Sequence, residues 1–161
     1  MIEVVVEDTR WEDAGLAALA DAGVRATLVH AGLDPDAWDV AILACDDARI
    51  SDLNAGFRGK PQPTNVLSWP SEERGADAPG KRPARPDPDE GPELGDLALA
   101  YDTCAREAAE ADIPFADHVS HLIVHGTLHL LGYDHTHDDD ADLMERIEVE
   151  ILATMGISDP Y

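Results

Sequence analysis

The sequence is poor in cysteine and lacks long apolar runs. Its two cysteines, Cys45 and Cys104, have no spaced partners, which argues against a disulfide framework and against a cysteine-type zinc site. No stretch approaches the roughly 18 apolar residues that a membrane span requires. The opening residues, MIEVVVEDTR, have neither the basic region nor the apolar segment of a signal peptide. We therefore expect a cytoplasmic protein with no membrane association.

Positive charge is also scarce, because 11 Lys and Arg stand against 34 Asp and Glu and give a net charge of −23. This balance fits poorly with a nucleic-acid substrate, since phosphate binding normally draws on basic surface. A solvated acidic surface accounts for the total charge without any function. Most of the basic residues, including Arg49, Arg58 and Lys60, precede residue 86, so any basic patch must come from the first half of the chain.

Aromatic residues make up only 5% of a chain that is 44% hydrophobic, so the core must consist mainly of Ala, Leu, Val and Ile. A length of 161 residues suits one domain of ordinary size. We expect residues 1–161 to form this single domain. Within it, residues 71–92 are rich in proline, glycine and charge, which predicts a long flexible loop.

Hydrophobic patterning predicts an α+β fold with a central mixed four-stranded sheet, helices packed on it, and C-terminal helices that carry a metal motif. The predicted strands cover residues 2–7, 38–45, 66–69 and 94–101. The predicted helices cover 11–33 with an interruption near Gly23, a segment capped by Asp46 and Asp47 that runs to Phe57, and residues 102–111, 114–131 and 138–155. The acidic run 138–140 is interpreted as a helix cap and not as a metal cluster.

The most informative segment is HGTLHLLGYDH, residues 125–135. His125 and His129 are four residues apart, so a helix projects both imidazoles from one face. Gly132 can end that helix in a left-handed conformation and return the chain so that His135 reaches the same ion. Three imidazoles leave a fourth position of tetrahedral zinc for water, which is the arrangement of catalytic sites. We predict one Zn²⁺, although all-imidazole sites also suit other metals.

The same spacing occurs in metzincin proteases, where the residue after the first histidine is a glutamate that accepts a proton from the zinc-bound water. Here that residue is Gly126, so the usual base is absent. A metalloprotease therefore remains only an alternative.

Four other histidines and one aspartate have weaker assignments. His121 forms another pair with His125 at a spacing of four, so an alternative ligand set is possible in principle. His118 and His121 are interpreted as polar residues lining the helix, with support of a metal ligand or contact with substrate as the alternative. His30 and His137 are predicted to be solvated. Asp134 is a candidate to orient a histidine ligand.

The second chemical element is the segment LNAGFRGKPQPTNVLSWP, residues 53–70, in which Arg58 and Lys60 lie between a helix end and a proline-braced strand. Their backbone is expected to be held while their side chains reach a cleft. The planar guanidinium of arginine suits a phosphate. A solvated surface pair is the alternative.

These segments, together with ELGDLALA at 93–100 and HLIVHGTLHLLGYDH at 121–135, resemble the YbeY family of bacterial endoribonucleases and rRNA maturation factors. The resemblance covers roughly residues 40–161. It implies that His125, His129 and His135 bind zinc and that Arg58 is a functional active-site residue. Pro61 replaces a common aspartate of the family, and the 71–92 loop is longer than usual.

The resemblance implies a zinc-dependent endoribonuclease that cuts single-stranded RNA in 16S rRNA 3′-end maturation and ribosome quality control. Zinc would act as a Lewis acid while Arg58 stabilises charge on the phosphate, and Lys60 would help to bind substrate. The implied partners are an rRNA precursor and either small-subunit ribosomal proteins or an assembly GTPase. A non-catalytic assembly factor with a structural zinc is a further alternative.

Overall fold

A computed structural model describes all residues, 1–161, and contains four strands and six helices. The strands are β1 (Ile2–Val6), β2 (Asp39–Cys45), β3 (Val66–Pro70) and β4 (Glu93–Ala100). The helices are α1 (Arg10–Asp13), α2 (Leu16–His30), α3 (Asp47–Arg58), α4 (Tyr101–Ala111), α5 (Phe115–Leu130) and α6 (Asp138–Thr154). The predicted α+β class is confirmed.

The strands form one mixed sheet in the order β1-β2-β4-β3. β2 pairs in parallel with both β1 and β4, whereas β3 runs antiparallel to β4 at the edge. β4 is apolar along most of its length because helices cover both of its faces. Leu97 lies in the larger core cluster, and the next residue, Ala98, lies in a smaller cluster with Ile50 of α3 on the opposite face.

The larger core lies between the sheet and helices α2, α5 and α6. α5 is the central helix of this layer, since it contacts β3, β4, α2, α4 and α6. Its position next to the sheet edge places its C-terminal end beside β3 and the 71–92 loop. No helix of the fold combines the length and hydrophobicity that crossing a membrane requires.

Two predicted helix features differ from the structure. The first helical segment breaks at Gly15, which has a φ of 72°, and not near Gly23. Gly23 lies inside α2, where a Cβ atom would come within 2.8 Å of Ile123 Cγ2, so this glycine allows α2 to approach α5 closely. Residues 138–140 lie in the first turn of α6, as the capping interpretation expects, and their charge complements the helix dipole. They do not cap the helix, because His137 is the N-cap residue and no side-chain cap bond forms.

The predicted N-cap of α3 is confirmed, since the Asp46 side chain accepts a hydrogen bond from the Arg49 amide. The 71–92 segment contains no strand or α-helix, only a 3-10 turn at Pro88–Glu90. It is nevertheless attached to the body of the protein. Arg74 Nη1 donates to the carbonyl oxygens of Leu94 and Leu130, both at 2.9 Å, and the Gly80 amide donates to Asp140 at 2.8 Å. Flexibility of this loop stays a prediction.

Candidate metal centre

The C-terminal half of α5 and the turn after it bring three imidazoles together. His125 and His129 lie on one face of α5, and their Nε2 atoms are 3.0 Å apart. His135 follows the turn, and one ring nitrogen from each of the three histidines lies within 4.8 Å of the others. The three histidines singled out from the sequence therefore form one cluster of potential ligands.

Gly132 makes the return of the chain possible. α5 ends at Leu130, and the Tyr133 amide donates to the Leu128 carbonyl at 3.0 Å, which closes the helix end. Gly132 itself has a φ of 103°, a region that side chains disfavour. A Cβ atom there would also overlap the carbonyl group of Arg74, which crosses the turn. Both the backbone angle and the neighbouring loop therefore require glycine.

In His125 and His129, the hydrogen bond that Nδ1 makes determines that Nε2 is free to bind a metal. His129 Nδ1 donates to the Tyr133 carbonyl at 2.9 Å. His125 Nδ1 donates to the carboxylate of Glu148 on α6. Each bond fixes the tautomer that leaves Nε2 as the electron-pair donor, as is usual for histidines that bind metals.

Glu148 is completely buried and was not identified from the sequence. Besides His125, its carboxylate contacts His121 Nε2 at 3.4 Å and accepts a hydrogen bond from the Tyr161 hydroxyl. Burial alone would raise the pKa of Glu148, but its bonds to His121, His125 and Tyr161 lower it to about 2. Glu148 is therefore a carboxylate at neutral pH.

A sequence signal for Glu148 does exist. It lies on the same face of α6 as Met144, Ile147 and Ile151, all of which are buried. An acidic residue in an apolar helical stripe is rarely left without a partner. That signal predicts burial, yet it does not say which side chain the carboxylate meets.

The electrostatics of the cluster favour a neutral His129 imidazole. Burial and the neighbouring His125 lower the pKa of His129 from 6.5 to about 4. His129 is therefore unprotonated at neutral pH, as a metal ligand must be.

The remaining histidines lie outside the cluster. His121 is turned toward Glu148 and Tyr161, so it reaches the ligands only through Glu148. His118 Nε2 lies 3.0 Å from Glu107. His30 was predicted to be solvated, but its Nε2 lies 2.8 Å from Glu150. His137 is exposed.

Asp134 supports the turn and not a histidine ring. Its carboxylate accepts hydrogen bonds from the His135 amide at 2.7 Å and from the Thr136 hydroxyl at 2.9 Å. It therefore shapes the backbone that carries His135.

Gly126 has a packing role in addition to replacing the protease glutamate. A Cβ atom at this position would lie 2.9 Å from Leu97 Cδ2 and 3.3 Å from Ser68 Oγ. The residue is buried against the sheet, so α5 can approach β4 only because a side chain is absent. The geometry provides no room for a glutamate here.

The histidines open into a cleft of about 670 Å³ between α5, the end of α3, β3 and the 71–92 loop, which we call the histidine cleft. Arg58, the last residue of α3, lies on its wall, and so do Asn65 and Ser68. The Arg58 side chain forms no ion pair or hydrogen bond. Lys60 is exposed and does not line the cleft.

The donor set suits a metal ion such as zinc. Two ligands at about 2.0–2.1 Å from a tetrahedral ion are roughly 3.3 Å apart, near the 3.0 Å between the two Nε2 atoms. No aspartate, glutamate or cysteine joins the cluster as a fourth potential ligand. His125, His129 and His135 would hold the ion, and the remaining position would face the cleft.

Fold and site together define an α+β protein with a three-histidine candidate metal centre in an open cleft beside an unpaired arginine. The chain belongs to the YbeY family, because the family model described as Endoribonuclease YbeY matches residues 2–156. The match extends the resemblance to the N-terminal strand and helices, beyond the residues 40–161 expected from the motifs.

Curated relatives named Endoribonuclease YbeY match almost the whole chain. The protein from Dinoroseobacter shibae is 60% identical over 162 residues, covering 99% of this chain and 90% of the relative. The one from Jannaschia sp. is 56% identical and covers 99% of both chains. The one from Methylocella silvestris is 44% identical, covering 100% of this chain and 85% of the relative.

A solved structure has the same fold. The solution structure of TM1509 from Thermotoga maritima superposes with a TM-score of 0.56 and covers 99% of this chain and 98% of that one, at 20% identity. At this identity the similarity supports the fold alone.

Proposed function

We propose that this protein is a zinc-dependent endoribonuclease that cleaves single-stranded RNA. The chain belongs to a family whose curated relatives are named Endoribonuclease YbeY, and this membership supports the reaction class. The observation that carries the proposal is the presence of an unpaired arginine and three oriented imidazole nitrogens in one cleft. Cleavage of a phosphodiester bond can use both elements. A metal ion held by the imidazoles would activate a nucleophile, and the arginine would stabilise the negative charge that develops on the phosphate.

The side chains have separable roles in this proposal. Arg58 binds the scissile phosphate and stabilises the charge that develops on it, because a guanidinium pairs well with phosphate oxygens. Glu148 and the Tyr133 carbonyl hold His125 and His129 in the required tautomers. Zinc, when bound by the three histidines, supplies Lewis acidity and an activated water. Lys60 lies outside the cleft and is proposed to contact a flanking phosphate.

The proposed cellular role is 16S rRNA 3′-end maturation and ribosome quality control in the cytoplasm. The substrate is then an rRNA precursor, and the partners are small-subunit ribosomal proteins or an assembly GTPase. This role follows from the resemblance to the family.

Two other functions make different predictions. A metalloprotease needs a carboxylate base near the ion, and the position that provides it in metzincins is the buried Gly126. An assembly factor with a structural metal needs a closed coordination shell, whereas the cluster contains three potential ligands. Both observations favour the nuclease.

The test is cleavage of single-stranded RNA by zinc-loaded wild type, Arg58→Ala and His129→Ala. Loss of a charge-stabilising donor typically costs about 10²–10³ in rate, so we expect Arg58→Ala to fall by that factor. His129→Ala should lose zinc and cleavage together. Arg146→Ala, which removes an exposed arginine from α6, is the matched control and should retain full activity.

Equal residual cleavage by all four proteins would assign the activity to a contaminating nuclease. Cleavage of peptides but not RNA by the same preparations would favour the protease.

A further inference from the structure

Five of the eleven basic side chains of this acidic protein are engaged by other groups of the fold. Four arginines are paired with carboxylates: Arg10, Arg25, Arg49 and Arg106. Arg74 is bound to the carbonyl oxygens of Leu94 and Leu130. The cations that are bound to neither a carboxylate nor a carbonyl oxygen are Arg58, Lys60, Lys81, Arg82, Arg85 and Arg146, and of these Arg82 contacts the Tyr133 hydroxyl.

Five of these six free cations lie in two segments that border the histidine cleft. Arg58 and Lys60 lie at the end of α3, and the other three belong to the 71–92 loop. Arg85 packs over the end of α2, where its Nη2 would lie 2.9 Å from a Cβ atom at Gly32. Lys81 and Arg82 are exposed, and we call them the loop cations.

The loop cations lie next to the histidine cleft. Lys81 lines a second cavity of about 280 Å³. That cavity and the histidine cleft share one boundary, formed by Gly75, Gly132, Tyr133 and Asp134. The Arg82 guanidinium lies beside the Tyr133 hydroxyl, where it opposes the rise in pKa that burial gives to this phenol.

The carboxylates in the second cavity are mostly engaged. Asp134 accepts hydrogen bonds from the His135 amide and the Thr136 hydroxyl, and Asp140 accepts one from the Gly80 amide. Asp77 is exposed and has no hydrogen-bond partner. Lys81 is the one cation on this wall, among three aspartates, while Arg82 lines a neighbouring cavity that also includes Tyr133. A ligand held by both cations would therefore sit at the Tyr133 boundary.

We infer that Lys81 and Arg82 form a second phosphate-binding site for the RNA that occupies the histidine cleft. A strand bound at Arg58 passes the three histidines, crosses the boundary at Tyr133 and places a flanking phosphate between the loop cations. This inference rests on the proposed nuclease function. The 71–92 loop would then bind the part of the RNA that lies beyond the scissile phosphate.

The test compares Lys81→Gln/Arg82→Gln with a control of equal charge change, Arg25→Gln/Arg146→Gln, which removes two arginines that line neither cavity. Zinc-loaded proteins are given a dinucleotide and a single-stranded RNA of about 12 nucleotides. Cleavage gives kcat and KM, and binding of the longer RNA to the zinc-free proteins is measured at several salt concentrations. Lys81→Arg/Arg82→Lys preserves both charges.

We expect the loop double variant to bind the longer RNA about tenfold more weakly, with a higher KM and an unchanged kcat. The slope of log affinity against log salt should fall by about 0.7, the contribution of one single-strand phosphate contact. Cleavage of the dinucleotide should be unchanged, and the charge-preserving variant should behave as wild type.

Three outcomes would overturn the inference. If the control double variant weakens binding as much as the loop double variant, the effect is only that of total charge. If the loop double variant cleaves the longer RNA with an unchanged KM while Arg58→Ala is impaired, the proposed nuclease function is supported and the loop site is not. If wild type neither binds nor cleaves any RNA, the proposed function fails first and the loop site fails with it.

Discussion

Glu148 of α6 contacts His125, a candidate metal ligand on the preceding helix α5. Its buried carboxylate accepts the Nδ1 proton of His125 and also meets His121 and Tyr161. A carboxylate behind a ligating imidazole raises the basicity of the ring and fixes its orientation. In the proposed site, Glu148 would therefore strengthen metal binding by His125 without being a potential ligand itself.

Glu148→Gln should lower zinc affinity about 10–100-fold, because the near-isosteric amide removes the charge behind His125 and leaves the rest of the site in place. Competition of the purified protein with a chromophoric chelator measures this change. Glu150→Gln is the matched control, since Glu150 is on the same helix and contacts His30 away from the cleft. Equal zinc affinity in the two variants would show that Glu148 serves packing alone.

Individual residues were predictable where local spacing determines them. Helical periodicity and a helix-ending glycine were enough to select His125, His129 and His135. Glu148 was beyond such reasoning, because the segment joining α5 to α6 decides which face of α6 meets α5. Asp134 was identified as a supporting residue, yet its contact is with the His135 backbone.

At the scale of elements, the end of α5 and the 71–92 loop form one unit. Arg74 bonds to the Leu130 carbonyl of α5 and the Leu94 carbonyl of β4, and its own carbonyl group lies against Gly132. The turn that delivers His135 is therefore held between a helix, a strand and the loop. A change in the turn should disturb all three.

Gly132→Ala should destabilise the protein and weaken zinc binding, and Gly156→Ala is its control. Both glycines have positive φ, but a Cβ atom at Gly156 meets nothing within 4 Å. Gly156→Ala should therefore lower the free energy of unfolding by about 1–2 kcal/mol, because alanine disfavours the left-handed conformation. Gly132→Ala should lower the free energy of unfolding by about 1–3 kcal/mol more, because its Cβ atom would also clash with Arg74. Urea unfolding and zinc titration measure both effects, and equal losses in the two variants would contradict the proposed contact.

The elements themselves were mostly predictable, because the four strands alternate or run apolar and the Asp46 cap marks the start of α3. The errors came from residues whose role depends on packing. Gly23 was read as a helix breaker, but it allows α2 to approach Ile123. The aspartates at 138–140 match a capping pattern, yet Asp140 bonds to Gly80 in a distant loop.

At the scale of the whole molecule, a net charge of −23 opposes the binding of another polyanion. The free cations near the cleft reduce this repulsion locally without removing it. We therefore expect long-range attraction to RNA to be weak and localisation to depend on a partner with basic surface.

We expect RNA alone to bind with a dissociation constant of about 10⁻⁴–10⁻⁶ M at physiological salt, the range of non-specific electrostatic binding. Addition of small ribosomal subunits or a basic small-subunit protein should tighten binding of the same RNA. Fluorescence anisotropy with and without the partner tests this, with an acidic protein of similar size in place of the partner as control. Tight binding to long RNA without any partner would contradict the expectation.

The bond between Glu148 and His125 also bears on how the site matures during synthesis. The ribosome releases α5 before α6, so the three histidines leave the exit tunnel before the carboxylate that orients one of them. A nascent chain at that stage has the ligands but not the fixed tautomer, and it holds metal weakly. If the three histidines bind a metal as proposed, we therefore expect tight uptake only after α6 has docked.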